Sequence, residues 1–196
     1  IYLFKIINYR HNSIIIGFIG VLFLILSPRI FSQSFYNSKD IVFMSLNIIN
    51  LYYGINYLKN SSLKNCIIFS FFSGLLVGTR LLGIYLPFLI IFFKYIQILR
   101  SSNIKKKEVL SLIFLIFLIL IFIYLFWPYL WEDPIKYFST AFKRLANIPM
   151  GTYTLFLGNY TQVEFVPWYY TIVWIFITTP ITYLIFFLIG FYFIIK

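Results

Sequence analysis

Long uncharged apolar runs recur along this chain, and they leave few folds open to it. Val109 to Trp127 contains no charged residue, and runs of similar character cover approximately Ser13 to Ser27, Ile41 to Leu58, Cys66 to Thr79, Leu82 to Leu99 and Tyr169 to Ile195. A helix crosses about 30 Å of hydrocarbon with roughly 20 apolar residues, and shorter or broken helices are accommodated inside bundles. These segments therefore read as transmembrane helices, with Ile1 to Ile7 as the tail of an earlier one. Hydrophobic residues make up 62 % of the chain, against about half in a soluble domain, which excludes a soluble globular fold. The expectation is an all-α polytopic transmembrane bundle in which residues 1–196 form part of one domain. Because the chain opens on Ile1 with no signal peptide ahead of its first span, and ends at Lys196 on an apolar run, it reads as a piece of a longer protein.

The run from Cys66 to Leu99 is too long for one crossing, since as a single helix it would extend about 51 Å. Arg80, Gly83 and Pro87 mark the expected break, giving a hairpin of two short helices with Arg80 buried near its tip. Charge supports the hairpin. It places Lys5, Arg10, Lys59, Lys64, Lys94, Arg100, Lys105, Lys106, Lys107 and Lys196 on one side, which the positive-inside rule makes cytoplasmic. Arg29, Lys39, Arg80, Lys136, Lys143 and Arg144 fall on the other side, with Asp40, Glu132, Asp133 and Glu164. The net charge of +11 thus reports membrane orientation, not nucleic-acid binding. One cysteine, Cys66, and one histidine, His11, offer neither a disulfide framework nor a His/Cys metal spacing.

Two patterns predict how the helices pack. Ser70, Gly74 and Gly78 recur at four-residue spacing, a ridge of small residues that lets a neighbouring helix approach closely. Asn47, Asn50 and Gly54 share a face of the second span, where amides can bond across to another helix. The stretch Pro128 to Trp168 does not span. Its ends carry the Trp and Tyr residues of an interfacial belt, and Asp133-Pro134 suits a helix start with Asp as N-cap. From there Ile135, Phe138, Ala141, Phe142 and Leu145 make one apolar face, as in a helix lying along the membrane surface.

Between the first two spans, Ser27 to Asp40 forms a polar island, Ser-Pro-Arg-Ile-Phe-Ser-Gln-Ser-Phe-Tyr-Asn-Ser-Lys-Asp, that must face water, headgroups or a substrate. This outward loop, followed by Gly78-Thr79-Arg80-Leu81-Leu82-Gly83 and by Pro167-Trp168-Tyr169-Tyr170 with Thr178-Thr179-Pro180, resembles the polytopic glycosyltransferases of the GT-C fold. More narrowly, the chain looks like the protein mannosyltransferase and aminoarabinose transferase relatives that use polyprenyl-phosphate sugars, over nearly its whole length. The resemblance implies transfer of a sugar from an undecaprenyl- or dolichyl-phosphate carrier to a protein, lipid or glycan acceptor outside the membrane. It also implies that the acid activating the acceptor sits in a first outward loop, upstream of Ile1, so no acid of this chain is assigned as the base.

Such chemistry needs cations beside the departing phosphate, and arginine's fork of donors suits phosphate oxygens. Arg80, Arg29 and Lys39 are the candidate donor-phosphate ligands, although Arg29 and Lys39 have a second reading as snorkelling headgroup contacts. Asp40 sits where an N-cap of the second span would, and it is also placed to order Lys39 or Arg80 or to touch the sugar. Glu132 and Asp133 are candidates for acceptor contact or a divalent cation, the one cofactor left open, and loop solvation explains them equally well. Trp168 and Tyr169 are placed to stack on a sugar or isoprenoid unit, or to anchor in the belt. The expected location is a bacterial inner membrane, or the endoplasmic reticulum membrane in a eukaryote. The competing functional reading is a transporter or flippase for lipid-linked saccharides, which an inverted repeat or mid-depth ionisable residues would favour.

Overall fold

The computed structural model describes residues 1–101, 106–146 and 152–195; Lys105 and Lys196, both used in the charge reading, lie outside them. The structure is 83 % helical, and the described residues form ten α-helices in the order α1 (Tyr2–His11), α2 (Ile14–Leu26), α3 (Pro28–Tyr36), α4 (Ser38–Lys59), α5 (Leu63–Thr79), α6 (Tyr85–Arg100), α7 (Lys106–Phe126), α8 (Pro134–Ala146), α9 (Tyr170–Thr178) and α10 (Ile181–Ile195). Three spans are long and apolar enough to cross a membrane: α4, Leu81–Arg100 and α7; counting each bent pair, α2 with α3 and α9 with α10, as one span gives up to five.

Helix α5 is the axis of the bundle. Cys66, Phe69, Ser70, Ser73, Gly74, Leu76 and Val77 are all buried in it, so more than one of its faces is covered. It runs parallel to α7 and antiparallel to α4. The small-residue ridge explains the α7 contact: a Cβ added at Gly74 would stand 2.6 Å from the carbonyl carbon of Phe122, and one at Gly78 would stand 2.8 Å from the Phe126 carbonyl oxygen. Only glycine leaves room for backbone at that separation, and close approach of this kind is how helices gain dispersion contact where no water drives them together. Leu115, Ile119 and Ile123 of α7 complete the buried cluster with Tyr57, Phe69, Val77 and Ile90.

The amide face of α4 also acts as its spacing predicts. Asn50 Oδ1 accepts from Ser73 Oγ of α5 at 3.2 Å, and Asn47 Nδ2 donates to Tyr85 Oη of α6 at 2.5 Å. Gly54 admits Ile90 and Phe69, whose side-chain atoms would lie 2.9 and 3.0 Å from a Cβ there. At the Lys59 end of the bundle, Lys94 of α6 is buried and ion-paired with Glu108 of α7, which ties those two antiparallel helices together. Arg10, His11, Lys59, Lys64, Arg100, Lys106 and Lys107 lie at that same end, as the hairpin reading requires.

Four sequence expectations need correction. The polar island is helical, not a loop: Pro28 occupies the first turn of α3, where its missing N–H costs nothing, and α3 turns 59° away from α2. Asn37, not Asp40, caps α4. The last run is not one straight helix, because Pro180 cannot continue α9 and the chain turns 110° into α10. Arg80, expected to be buried, has a side chain 41 % exposed at the end of the bundle.

Helix α8 begins where Asp133-Pro134 predicts, with Asp133 Oδ1 accepting from the Lys136 amide at 3.1 Å. After it comes an element the sequence reading did not anticipate, an antiparallel hairpin of β1 (Tyr153–Phe156) and β2 (Asn159–Gln162). Its turn residues Leu157 and Gly158 have φ of 49° and 85°. Both positive values match the tight type I′ turns whose twist suits a two-residue hairpin.

Gly74→Ala is expected to force α5 and α7 apart at a cost of about 1–3 kcal/mol, the usual range for overpacking. A lowered thermal unfolding midpoint in detergent micelles checks this. Gly190→Ala, where an added Cβ meets nothing within 4 Å and alanine is the better helix former, should not lower the midpoint.

Candidate functional site

The end of the bundle opposite Lys59 holds a cleft of about 550 Å³ lined by Lys39, Val77, Gly78, Thr79, Arg80, Leu81, Leu82, Trp127 and Leu145. Five elements meet there: the first turn of α4, the last turn of α5, Arg80 with the 3-10 turn that follows it, the chain following α7, and the C-terminal part of α8. Its lining combines the aliphatic Val77, Leu81, Leu82 and Leu145 and the ring of Trp127 with the polar Lys39, Thr79 and Arg80.

Each polar group is placed by local chain geometry. Helix α5 ends because Thr79 Oγ1 turns back to the Leu76 carbonyl at 2.7 Å and Arg80 adopts an extended backbone, φ −149° and ψ 130°. The chain then winds into a 3-10 turn, Leu81–Ile84, in which the Gly83 amide donates to the Arg80 carbonyl at 2.8 Å. Gly83 lies so close to α5 that a Cβ would stand 2.9 Å from the Leu76 carbonyl oxygen. Glycine at this position thus lets the chain fold back tightly enough to hold Arg80 at the rim.

On the other side of the rim, α4 starts with a reciprocal cap. Asn37 Oδ1 accepts from the Asp40 amide at 3.1 Å, while Asn37 Nδ2 donates to Asp40 Oδ2 at 2.8 Å. The second Asp40 oxygen is ion-paired with Arg80. Asp40 therefore fixes the α4 start and Arg80 together, and the same turn presents Lys39 to the cleft. With one acid between two cations, this corner of the bundle keeps a net positive charge. Of its five N–H donors, Arg80 commits one nitrogen to Asp40, which leaves part of the guanidinium fork available to another anion.

Lys39 and Arg80 of the expected residues thus meet at one cleft, with Asp40 beside them. Arg29 is not among the lining residues; its Nη1 donates to Thr178 Oγ1 at 2.9 Å and ties α3 to α9. Glu132 accepts from Tyr137 Oη at 3.0 Å, and that carboxylate holds the Tyr137 phenol above its ordinary pKa. Asp133 is occupied as the α8 cap. Trp168 is exposed with its ring edge-on to Tyr169, and Tyr169 packs against Phe156 of the β-hairpin at 6.0 Å. Among the described residues no three His, Cys, Asp or Glu side chains gather as metal ligands.

Sequence reasoning missed Asn37 as cap and Trp127 and Leu145 as lining residues. An Asn three residues before an Asp is a visible capping signature, which the Asp at the edge of the apolar run overshadowed. Nothing in the sequence pairs Leu145 with Arg80. Set against known proteins, the chain matches no protein-family model, no curated protein and no solved structure.

Asn37→Ala should destabilise the start of α4 by about 1 kcal/mol, the usual worth of a side-chain cap. Faster hydrogen exchange at the Lys39 to Ile41 amides, with α7 unaffected, is the expected readout.

Proposed function

We propose that this chain is part of a membrane-embedded glycosyltransferase of GT-C type, moving a sugar from a polyprenyl-phosphate carrier to an acceptor on the non-cytoplasmic side. The observation that carries this reading is the convergence of Lys39 and Arg80 on one cleft that Val77, Leu81, Leu82 and Leu145 also line. A volume of about 550 Å³ falls in the range of small-molecule sites. An anion with an apolar body, which describes a lipid-linked phosphate, is complementary to such a lining.

The chemistry assigns the residues simple roles. The acceptor oxygen forms a bond to the anomeric carbon as the bond from that carbon to the carrier phosphate breaks, and the electron pair leaves with the phosphate. Lys39 and the free part of the Arg80 fork stabilise the charge that develops there. No carboxylate lines the cleft among the described residues, and Asp40 is held by Asn37 and Arg80, so the acceptor's proton passes to a base outside this set. The concentration of Arg10, Lys59, Lys64, Arg100, Lys106 and Lys107 at the opposite end supports a cytoplasmic assignment for that end. By the same rule the cleft opens to the periplasm or lumen.

The test uses full-length protein in membrane vesicles with an undecaprenyl- or dolichyl-phosphate hexose donor. Arg80→Ala and Lys39→Ala should each lower turnover by about 10²–10³-fold, as loss of one preorganised donor does, with membrane insertion intact. Asp40→Asn breaks the same ion pair without removing a cation and should retain far more transfer than Arg80→Ala. Near-normal turnover in both cation variants overturns the assignment.

A further inference from the structure

The β-hairpin is built inside out for a protein surface in water. Register pairs Leu155 with Tyr160 and Tyr153 with Gln162, so these side chains share one face, while Thr154, Phe156, Asn159 and Thr161 share the other. The second face is the one that packs on the protein. Phe156 is buried against Tyr169 and Tyr170, at ring-centroid distances of 6.0 and 5.1 Å, and Thr154 Oγ1 and Tyr170 Oη are hydrogen-bonded at 3.1 Å. The face turned away carries Tyr153, Leu155 and Tyr160, with Leu157 at the tip, and all four are exposed, Leu157 by 66 % and Tyr160 by 79 %. In a hairpin packed on one side, the outer face is normally polar. Here no residue from Thr152 to Val163 is charged.

The tip adds an independent observation. Leu157 has φ of 49°, a left-handed conformation that branched and bulky side chains avoid and that Asn or Gly adopts readily. Asn-Gly is the usual choice at such a turn. A leucine there carries a conformational cost that its own fold does not recover, because its side chain touches little of the protein.

We propose that this outer face, Tyr153, Leu155, Leu157 and Tyr160, rests in the headgroup–acyl boundary of the lipid leaflet at the Arg80 end of the bundle. Continuity with the apolar surface around it selects lipid as the occupant. The hairpin stands on Tyr169 and Tyr170, which begin α9, and α9 lies crosswise to α10 with Ile172, Trp174, Ile175, Phe176 and Ile177 exposed. Phe165 and Trp168, between hairpin and helix, are exposed as well. Two leucines flanked by tyrosines match the interface, where apolar side chains enter the acyl region and phenol hydroxyls stay among headgroups. The hairpin is then a membrane anchor just ahead of α9.

This inference rests on the membrane embedding proposed above and is independent of the transfer reaction. The test labels single cysteines with an environment-sensitive fluorophore in full-length protein, in phosphatidylcholine/phosphatidylglycerol vesicles containing nitroxide-labelled lipid. Buried Cys66 stays in place, and the unsubstituted protein serves as labelling control. Leu157→Cys and Tyr160→Cys should show blue-shifted emission that the lipid nitroxide quenches, as should Phe117→Cys at an exposed position on α7. If Phe117→Cys is quenched while both hairpin positions are not, the hairpin anchor is overturned and the embedding stands. A blue shift without quenching means that protein covers the face, and no blue shift means water; both overturn the anchor. If none of the three is quenched, the membrane embedding fails with it. Leu157→Asn supplies a second measurement, since it should keep or improve the turn while lowering the quenching of the Tyr160→Cys probe.

Discussion

The contact between α5 and α7 is the constraint on which the rest of the molecule depends. With Gly74 and Gly78 against the backbone of Phe122 and Phe126, the two helices lie closer than side chains on both would permit. Where a membrane surrounds them, water cannot drive helices together, and the gain from such a contact then comes from many short dispersion contacts and falls steeply with separation. That contact fixes α5 as the axis. It thereby sets where α5 ends, and the end of α5 is where Arg80 stands.

Charge is used differently at the two ends. Lys94 is buried, and a lysine without a counter-ion there would be costly; Glu108 meets that need, and the pair joins α6 to α7. At the other end both side chains of the Asp40–Arg80 pair are more than two-fifths exposed. An exposed pair contributes little stability, typically about 0–1 kcal/mol. One pair is thus a fixture of the fold, while the other holds side chains in position at small energetic cost.

How much was legible in the sequence follows the range of the interactions involved. Helix positions came from hydrophobic runs, the α5–α7 contact from small-residue spacing, the cross-helix amides from their shared face, and the α8 cap from Asp133-Pro134. All are signals within one segment. The island between Ser27 and Asp40 misled because its polarity resembles a loop, whereas its residues turn readily within a helix begun by Pro28. The burial of Arg80 was overestimated because hairpin depth depends on which helices flank the tip. The hairpin at 153–162 stayed hidden because Leu157-Gly158 replaces the usual turn pair, and its outward apolar face defeats the alternation that would have marked a strand. Within the site, Lys39 and Arg80 stood out as cations in a chain of oil, but their convergence with Trp127 and Leu145 is tertiary information.

The weakness of the Asp40–Arg80 pair suits the anion site proposed for the cleft. Arg80 without any partner would disturb the end of the bundle, and a deeply buried pair would hold it too firmly for a ligand to share. With Asp40 also bonded to Asn37, the carboxylate keeps Arg80 oriented and remains anchored if the guanidinium turns away. In the proposed reading, the phosphodiester of a lipid-linked sugar carries one negative charge, as Asp40 does, but would meet Lys39 as well as Arg80, and the charge on its phosphate would grow as the sugar departs. On that reading Asp40 would serve as a placeholder for the anion, positioning the arginine by an interaction weak enough to give up.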